Sequence, residues 1–424
     1  MSVSTLQADG DDSPPRVYLP GERAHDAAMM RLAVASAAQA RGATSPNPLV
    51  GAVIVDESGS APVVLAVGFH AAAGQAHAEV DALRRLAATG GSAVGKTLYV
   101  SLEPCNHVGR TGKCTEAILA AGIRRVVVGM GDPNPHVAGG GADCLRKAGV
   151  EVLLGVCEAE CRHENRGYLR WLHSGRPQLI LKAAVSLDGR LAPGSAPGSV
   201  VGPRWLTGQP ARQRAHQLRA QCDAILVGAG TVLTDDPQLT VRLDGQPGHP
   251  PDPQLVARQP LRVVFDGALR LPVSAKVATP GTLLLTSFSA LTAQSDRAQA
   301  LRDRGVEIVA LPPPSSSDVA SRRGWATDID LHAALRLLGQ RNILLALCEG
   351  GGILHGALLE AGLYDEAALF VAPLFLGDAG VPLLRHLVIP DVTAASWLDS
   401  PRMTQLGRDL LIEGAIRRGG FSPS

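Results

Sequence analysis

Short apolar runs of strand length alternate with helical stretches along almost the whole chain, in two successive series. In the first series, "LVGAVIV" (49–55), "VVLAVGF" (63–69), "TLYVSL" (97–102) and "RRVVVGM" (124–130) read as strands. Helical patterns lie between and around them at 22–41, 76–89, 114–122 and 141–148, and a last strand at 150–154 closes the set. Such alternation buries apolar faces by laying helices on a sheet. It predicts a layered α/β domain over residues 21–165. A charged helical stretch over 158–176 ends at "SGRP", and a second α/β series follows over 176–418. Its strand signals are at 178–190, 224–230, 261–267, 282–287, 306–311, 343–352 and 366–377. No internal repeat relates the two halves.

Two segments rich in Pro, Gly and Ser, 244–260 and 312–328, read as surface insertions. Residues 1–20 are polar and acidic and read as a disordered lead without the blocks of a signal peptide. The longest apolar stretch, 343–359, is broken by Glu349 and three glycines, so no membrane span is expected and a cytoplasmic location is. Net charge is +1 and aromatic residues make up 3%, which argues against nucleic acid as a partner. Seven cysteines, an odd number in a long chain of this kind, argue against a disulfide framework.

The stretch "GQAHAEVDALRRL" (74–86) puts His77 and Glu79 at the head of a helix. A His at a helix start is commonly only a polar end group. Here "SLEPCNHVGRTGKC" (101–114) adds Cys105 and Cys114 after the next strand. One imidazole and two thiolates form a three-ligand zinc site that leaves the fourth tetrahedral position for water. Zinc lowers the pKa of that water. Glu79, two residues beyond His77, is placed to move protons without ligating, as in zinc deaminases with their H-x-E and P-C signature. The other five cysteines lack matching partners.

Glycine-rich turns follow two strands of the second series, in "VGAGTVL" (227–233) and "EGGGILHGALL" (349–359). Either can receive a phosphate at a helix N-terminus or be a plain tight turn.

The ordered motifs "PNPLVG" (46–51), "HAEV" (77–80), "EPCNHVGRTGKC" (103–114) and "DPNP" (132–135) resemble the bifunctional riboflavin-biosynthesis deaminase–reductases. So do "LKAAVSLDGR" (181–190), "RWLTG" (204–208), the stretch 216–242 and "EGGGILHGALLEAGLYDE" (349–366). The resemblance implies a cytidine-deaminase-like α/β/α domain followed by a dihydrofolate-reductase-like α/β domain. It implies zinc on His77, Cys105 and Cys114, with Glu79 as proton shuttle and Asn47 against the pyrimidine. Arg110 is left between a sugar-phosphate contact and a structural salt bridge.

For NADPH it implies Ala184, Trp205, Thr231, Asp235 and Gly267, with the turn and helix start Gly351, Gly352, Ile353, Leu354, His355, Gly356 and Ala357 cradling its phosphates. For the ribosyl substrate it implies Arg219, Leu239, Arg242 and Glu349; Lys182 and Asp188 receive no single role. Pro203 stands where the family carries a small hydroxyl residue, which puts one substrate contact in doubt.

The implied reactions are hydrolysis of the exocyclic 2-amino group of a diamino-pyrimidinone ribosyl phosphate, then NADPH-dependent reduction of the ribosyl to a ribityl chain. The rivals are a nucleoside or tRNA deaminase with an unrelated C-terminal half, and a non-enzymatic protein with a structural zinc. The eight-residue gap between the cysteines and the near-zero charge oppose the first. Glu79 and the open fourth position oppose the second. Dimers and tetramers are common in such folds, so a homo-oligomer is also expected.

Overall fold

The computed structural model describes residues 20–106, 112–134, 140–194, 205–243, 258–314 and 329–419, with side chains from residue 24 onward. The lead 1–19, Arg110, Pro203 and most of the two insertions lie outside the described residues. Chain contacts divide the molecule into two compact units, 1–37 with 50–69 and 77–161, and 38–49 with 70–76 and 162–424.

The first unit carries a five-stranded sheet in the order β2-β1-β3-β4-β5. Its strands are β1 (Gly51–Asp56), β2 (Val63–Phe69), β3 (Thr97–Leu102), β4 (Arg125–Met130) and β5 (Glu151–Leu154). β1 runs antiparallel to β2 and β3, whereas β3, β4 and β5 are parallel. Every residue of β3 and β4 is buried, as expected for parallel strands covered on both faces.

Helix Ala78–Ala88 presses Ala78, Ala82 and Leu86 into the core with Ile54, Leu98 and Val128. Gly68 on β2 permits that approach: a Cβ there would lie 2.3 Å from the Ala82 amide nitrogen. Asp81, in the first turn, accepts the Phe69 amide at 3.1 Å and ties the same helix to β2.

The second unit carries a nine-stranded sheet ordered β11-β10-β9-β8-β12-β6-β13-β16-β15, plus a two-stranded pair of β7 and β14. The strands are β6 (Gln178–Ser186), β7 (Arg190–Ala192), β8 (Ala224–Gly228), β9 (Leu261–Phe265), β10 (Thr282–Ser287) and β11 (Glu307–Leu311). They continue with β12 (Leu345–Cys348), β13 (Glu366–Ala372), β14 (Val381–Pro382), β15 (Ser396–Leu406) and β16 (Asp409–Arg418). β11 through β13 are parallel, and the hairpin β15–β16 adds antiparallel to β13.

Helix Ala229–Asp235, after β8, packs Val232 on the face that displays Ile225 and Val264. Helix Gly352–Glu360, after β12, packs Leu354 and Leu358 on the opposite face with Leu226 and Val263. Neighbouring strands whose chains leave to opposite faces open a crevice at their carboxyl ends, where ligands of open α/β sheets bind.

The hairpin β15–β16 and the pair β7–β14 are absent from the sequence expectations. The helical stretch expected over 158–176 divides into Glu158–Glu164 and Arg166–Ser174 at Asn165, whose side chain accepts the Leu49 amide and donates to the Leu49 carbonyl. No described helix is long and apolar enough to cross a membrane.

Candidate active sites

His77 is the residue before the first turn of helix Ala78–Ala88, and its side chain makes no capping bond to that helix. Its ring turns instead to two sulfurs, with Nδ1 at 3.2 Å from the Cys114 Sγ and 3.5 Å from the Cys105 Sγ. Cys105 follows the carboxyl end of β3, and Cys114 is the first residue of helix Cys114–Ala120. The Cys114 amide donates to the Cys105 Sγ at 3.4 Å. Two helix starts therefore meet at these donors, and helix N-termini favour thiolate over thiol.

The ligand atoms of His77, Cys105 and Cys114 all lie within 4.8 Å of one another, and among the described residues no fourth protein ligand joins them. The Cys105 thiol is pushed down to about 4 by its hydrogen bond with Cys114, against burial and with help from His77. The Cys114 thiol is pushed up by the same contact and by burial. One imidazole and two sulfurs this close cannot each keep a proton, so the donor set fits zinc with one open position.

Glu79 is 3% exposed and sits within hydrogen-bonding reach of Cys114. Burial pushes its pKa up, which suits a carboxyl that takes and returns a proton. Glu103, in the same motif, holds the loops around the site: its carboxylate accepts the Asp132 amide at 3.3 Å and the Ala142 amide at 3.0 Å. Glu103 stands in the motif "EPCNHVGRTGKC", but nothing in its spacing announces this task. In the other unit, the Asn47 amide meets the His70 Nε2 at 3.0 Å.

At the crevice of the second unit, Glu349 follows β12, and its amide donates to the Leu226 carbonyl at 2.9 Å. Its carboxylate receives Arg219 through Nε at 2.5 Å and Nη2 at 2.9 Å, and Lys182 Nζ lies at 3.2 Å. Burial opposes the Glu349 charge, but Arg219 and Lys182 hold its pKa well below the usual carboxylate range.

Arg219 also donates to the Thr240 carbonyl at 2.9 Å, and Arg242 reaches the Thr240 hydroxyl at 2.9 Å. The Arg242 amide donates to the His216 Nδ1 at 3.2 Å. Burial and the two arginines push His216 down to about 4, so it stays neutral at physiological pH. Three of the four residues assigned to the ribosyl substrate thus share one polar cluster, joined by Lys182 and His216. Lys182 was legible as a lone charge inside the apolar strand "QLILKAAVS"; His216 left no signal. Asp188 pins the turn after β6 by accepting the Leu376 and Gly377 amides.

Leu239 lies apart from that cluster in one respect. It is 3% exposed and packs with Val227, Val232 and Val264 in the core. Its backbone, not its side chain, is what a substrate can meet.

The glycine turn narrows in the same way. Gly351 precedes helix Gly352–Glu360, and a Cβ on it would crowd the Thr231 hydroxyl at 3.2 Å. Leu354, His355, Gly356 and Ala357 are buried, with Leu354 and Ala357 in the core cluster. The His355 amide bonds the Gly351 carbonyl at 3.1 Å, and the His355 ring bonds the Tyr364 hydroxyl at 2.7 Å. A phosphate is therefore offered the backbone N–H groups of the first turn, and the side chains beyond it are occupied by packing.

The remaining cofactor candidates border the same strand ends or stand at the surface. Ala184 is on β6, and Gly267, just after β9, accepts the Ser287 hydroxyl at 2.8 Å. Asp235 is exposed at the end of its helix. Trp205 is 67% exposed, with the Arg212 guanidinium 5.3 Å from its ring.

A three-donor zinc pocket with a buried carboxyl beside it defines a zinc-dependent deaminase half, and a strand-end crevice with a glycine-led helix defines a nucleotide-binding α/β half. Family comparison agrees: residues 23–130 match the cytidine and deoxycytidylate deaminase zinc-binding region, and residues 177–409 match the RibD C-terminal domain. The riboflavin biosynthesis protein RibD of Aquifex aeolicus is 37% identical over 90% of this chain and 96% of its own.

Among solved structures, RibD of Acinetobacter baumannii is similar with a TM-score of 0.76 at 34% identity, over 93% of this chain and 100% of that one. A diaminohydroxyphosphoribosylaminopyrimidine deaminase/5-amino-6-(5-phosphoribosylamino)uracil reductase of Thermotoga maritima has a TM-score of 0.73 at 29% identity, over 94% and 99% of the two chains. The chain belongs to the RibD family, the bifunctional zinc-dependent deaminases and NADPH-dependent reductases of riboflavin biosynthesis. Its halves have the cytidine-deaminase-like and dihydrofolate-reductase-like folds.

Proposed function

We propose that the deaminase domain, residues 21–165, hydrolyses the exocyclic 2-amino group of a diamino-pyrimidinone ribosyl phosphate, and that the reductase domain, residues 176–418, then reduces its ribosyl group to a ribityl chain. The observation that carries this reading is the convergence of His77, Cys105 and Cys114 beside the buried Glu79.

Zinc held by these three side chains supplies a Lewis acid that makes water nucleophilic near neutral pH. Glu79 takes a proton from that water and delivers it to the departing amine, which leaves as ammonia while the ring carbon gains oxygen. Asn47 contacts the pyrimidine.

NADPH, when bound, would supply the hydride for the sugar C1′; the bond from C1′ to the ring oxygen opens, that oxygen ends as a hydroxyl, and one proton from solvent completes the balance. The first turn after Gly351, beside Thr231, would hold its phosphates, and Ala184, Trp205, Asp235 and Gly267 would border the rest of the cofactor. Arg242 and Arg219 face the phosphorylated ribosyl group. Arg219 spends three N–H groups on Glu349 and Thr240, which leaves one on each terminal nitrogen for the substrate. Glu349 and the Leu239 backbone complete the substrate contacts. The chain takes no nucleic acid and acts in the cytoplasm; the balanced net charge of +1 supports the first statement.

The test is NADPH consumption by the purified protein given the diamino substrate, run beside Glu79→Gln. The wild type is expected to consume NADPH. The variant is expected to keep its zinc, lose deamination by about 10²–10⁴-fold and consume NADPH only when given deaminated substrate. A variant that oxidises NADPH at the wild-type rate on the diamino substrate would remove Glu79 from its role or reverse the order of steps.

A further inference from the structure

Beyond β13 the chain returns across the start of helix Gly352–Glu360 as a strap. β14 pairs with β7, the Leu383 amide donates to the Gly189 carbonyl at 3.1 Å, and the Arg385 amide donates to the Gly352 carbonyl at 3.0 Å. The approach is close. A Cβ on Gly352 would lie 2.3 Å from the Pro382 carbonyl oxygen and 3.0 Å from the Arg385 Cγ.

Cα–Cβ bonds of a helix tilt toward its N-terminus. The Arg385 Cγ therefore lies against the first helical residue, where the free N–H groups of the helix begin. Thr231 flanks the turn one residue earlier, at Gly351. Arg190, on the β7 strand that the strap pairs with, is engaged with Asp378 at 3.6 Å. Arg385 is exposed, and among the described residues its guanidinium makes no hydrogen bond or ion pair. A cation held by its own backbone beside a helix start, with no acidic partner, is matched to an anion lying on that start.

We propose that Arg385 is a further cofactor-binding residue of the reductase, pairing with the diphosphate of NADPH on the first turn of helix Gly352–Glu360. This rests on the reading of the second unit as an NADPH reductase. The diphosphate is common to NADPH and NADH, so Arg385 strengthens the binding of both. No sequence signal marks Arg385, which lies outside every motif, some thirty residues beyond the glycine turn it would serve.

The experiment is a fluorescence titration of the full-length protein with NADPH and with NADH, for wild type, Arg385→Ala and Arg385→Lys, at low and high salt. Arg385→Ala is expected to raise Kd for both nucleotides by about tenfold or more, as loss of a charge-assisted hydrogen bond does. Arg385→Lys should recover part of it, because a point charge replaces a planar fork. The salt dependence of Kd should flatten in Arg385→Ala. Wild-type affinity in Arg385→Ala overturns the proposal, and so does a loss confined to NADPH, which would move the contact to the 2′-phosphate. If the wild type itself binds neither nucleotide, the reductase reading fails and the proposal with it.

Discussion

The zinc pocket and the reductase crevice are built by opposite means. The pocket takes three side chains from between positions 77 and 114, two of them at helix starts, with Glu79 beside the first. The crevice gathers Lys182, Arg219, Arg242 and Glu349 from four separate stretches, and the phosphate seat proposed for it is backbone N–H with almost no side chain. Chemistry that needs particular donor atoms writes short words in the sequence. Chemistry that needs strand ends and free amides writes little more than glycine.

The comparison can be broken most severely at the pocket. Cys105→Ser takes a thiolate from a three-ligand site, so zinc content should fall from one per chain toward none and deamination should vanish. NADPH titration should be unchanged; a parallel loss of NADPH binding would mean that the two halves do not act separately.

Glu349→Gln is the next largest. It leaves Arg219 and Lys182 without their shared anion, at a cost of about 3–5 kcal/mol for a buried network broken on one side. The Glu349 pKa is lowered in the fold, so its contribution is present above the ordinary value of 4.5 and is lost as pH falls below it. Melting temperatures measured from pH 7 down to pH 3, roughly the span in which carboxylates protonate, should drop less steeply in the variant. Parallel curves would show that the network is not coupled to protonation of this carboxyl.

Leu239→Ala sharpens the boundary between core and site. A buried leucine truncated beside Val227 and Val264 should cost about 2–4 kcal/mol in denaturant melts, with substrate KM nearly unchanged. A raised KM at full stability would return the Leu239 side chain to the substrate. The smallest expected effect is at Arg242→Ala: this exposed residue should raise substrate KM about tenfold and leave the melting temperature in place. An unchanged KM would make Arg242 only a partner of Thr240 and His216.

Much of the architecture was legible before the fold. β3 and β4 lie in mostly apolar runs, as strands covered on both faces do, and the few polar members, Thr97, Ser101 and Arg125, are buried with them. The hairpin β15–β16 was not. Its first strand carries Asp399, Pro401, Arg402 and Gln405, is largely exposed, and has a register shift between Asp399 and Arg402. Such a strand is held by pairing through β16 to β13, and nothing in its side-chain pattern announces that partner. Asn165 was equally silent. It divides an apparently continuous helical stretch by bonding the backbone of Leu49, more than a hundred residues away.

The sequence by itself named the candidate zinc donors and the proposed proton carrier, because His, Cys and Glu carry the donor and acceptor atoms such chemistry needs and their spacing is set by one strand and two helix starts. The tertiary structure alone decided which assigned residues are already packed or paired. It put Leu239, His355 and Ala357 into the packing, paired Arg219 with Glu349, and laid Arg385 across a helix start thirty positions before it. The physical reason is that burial and pairing are properties of neighbours in space. A residue's type states what it can bond, but only the fold states which of its bonds are already taken.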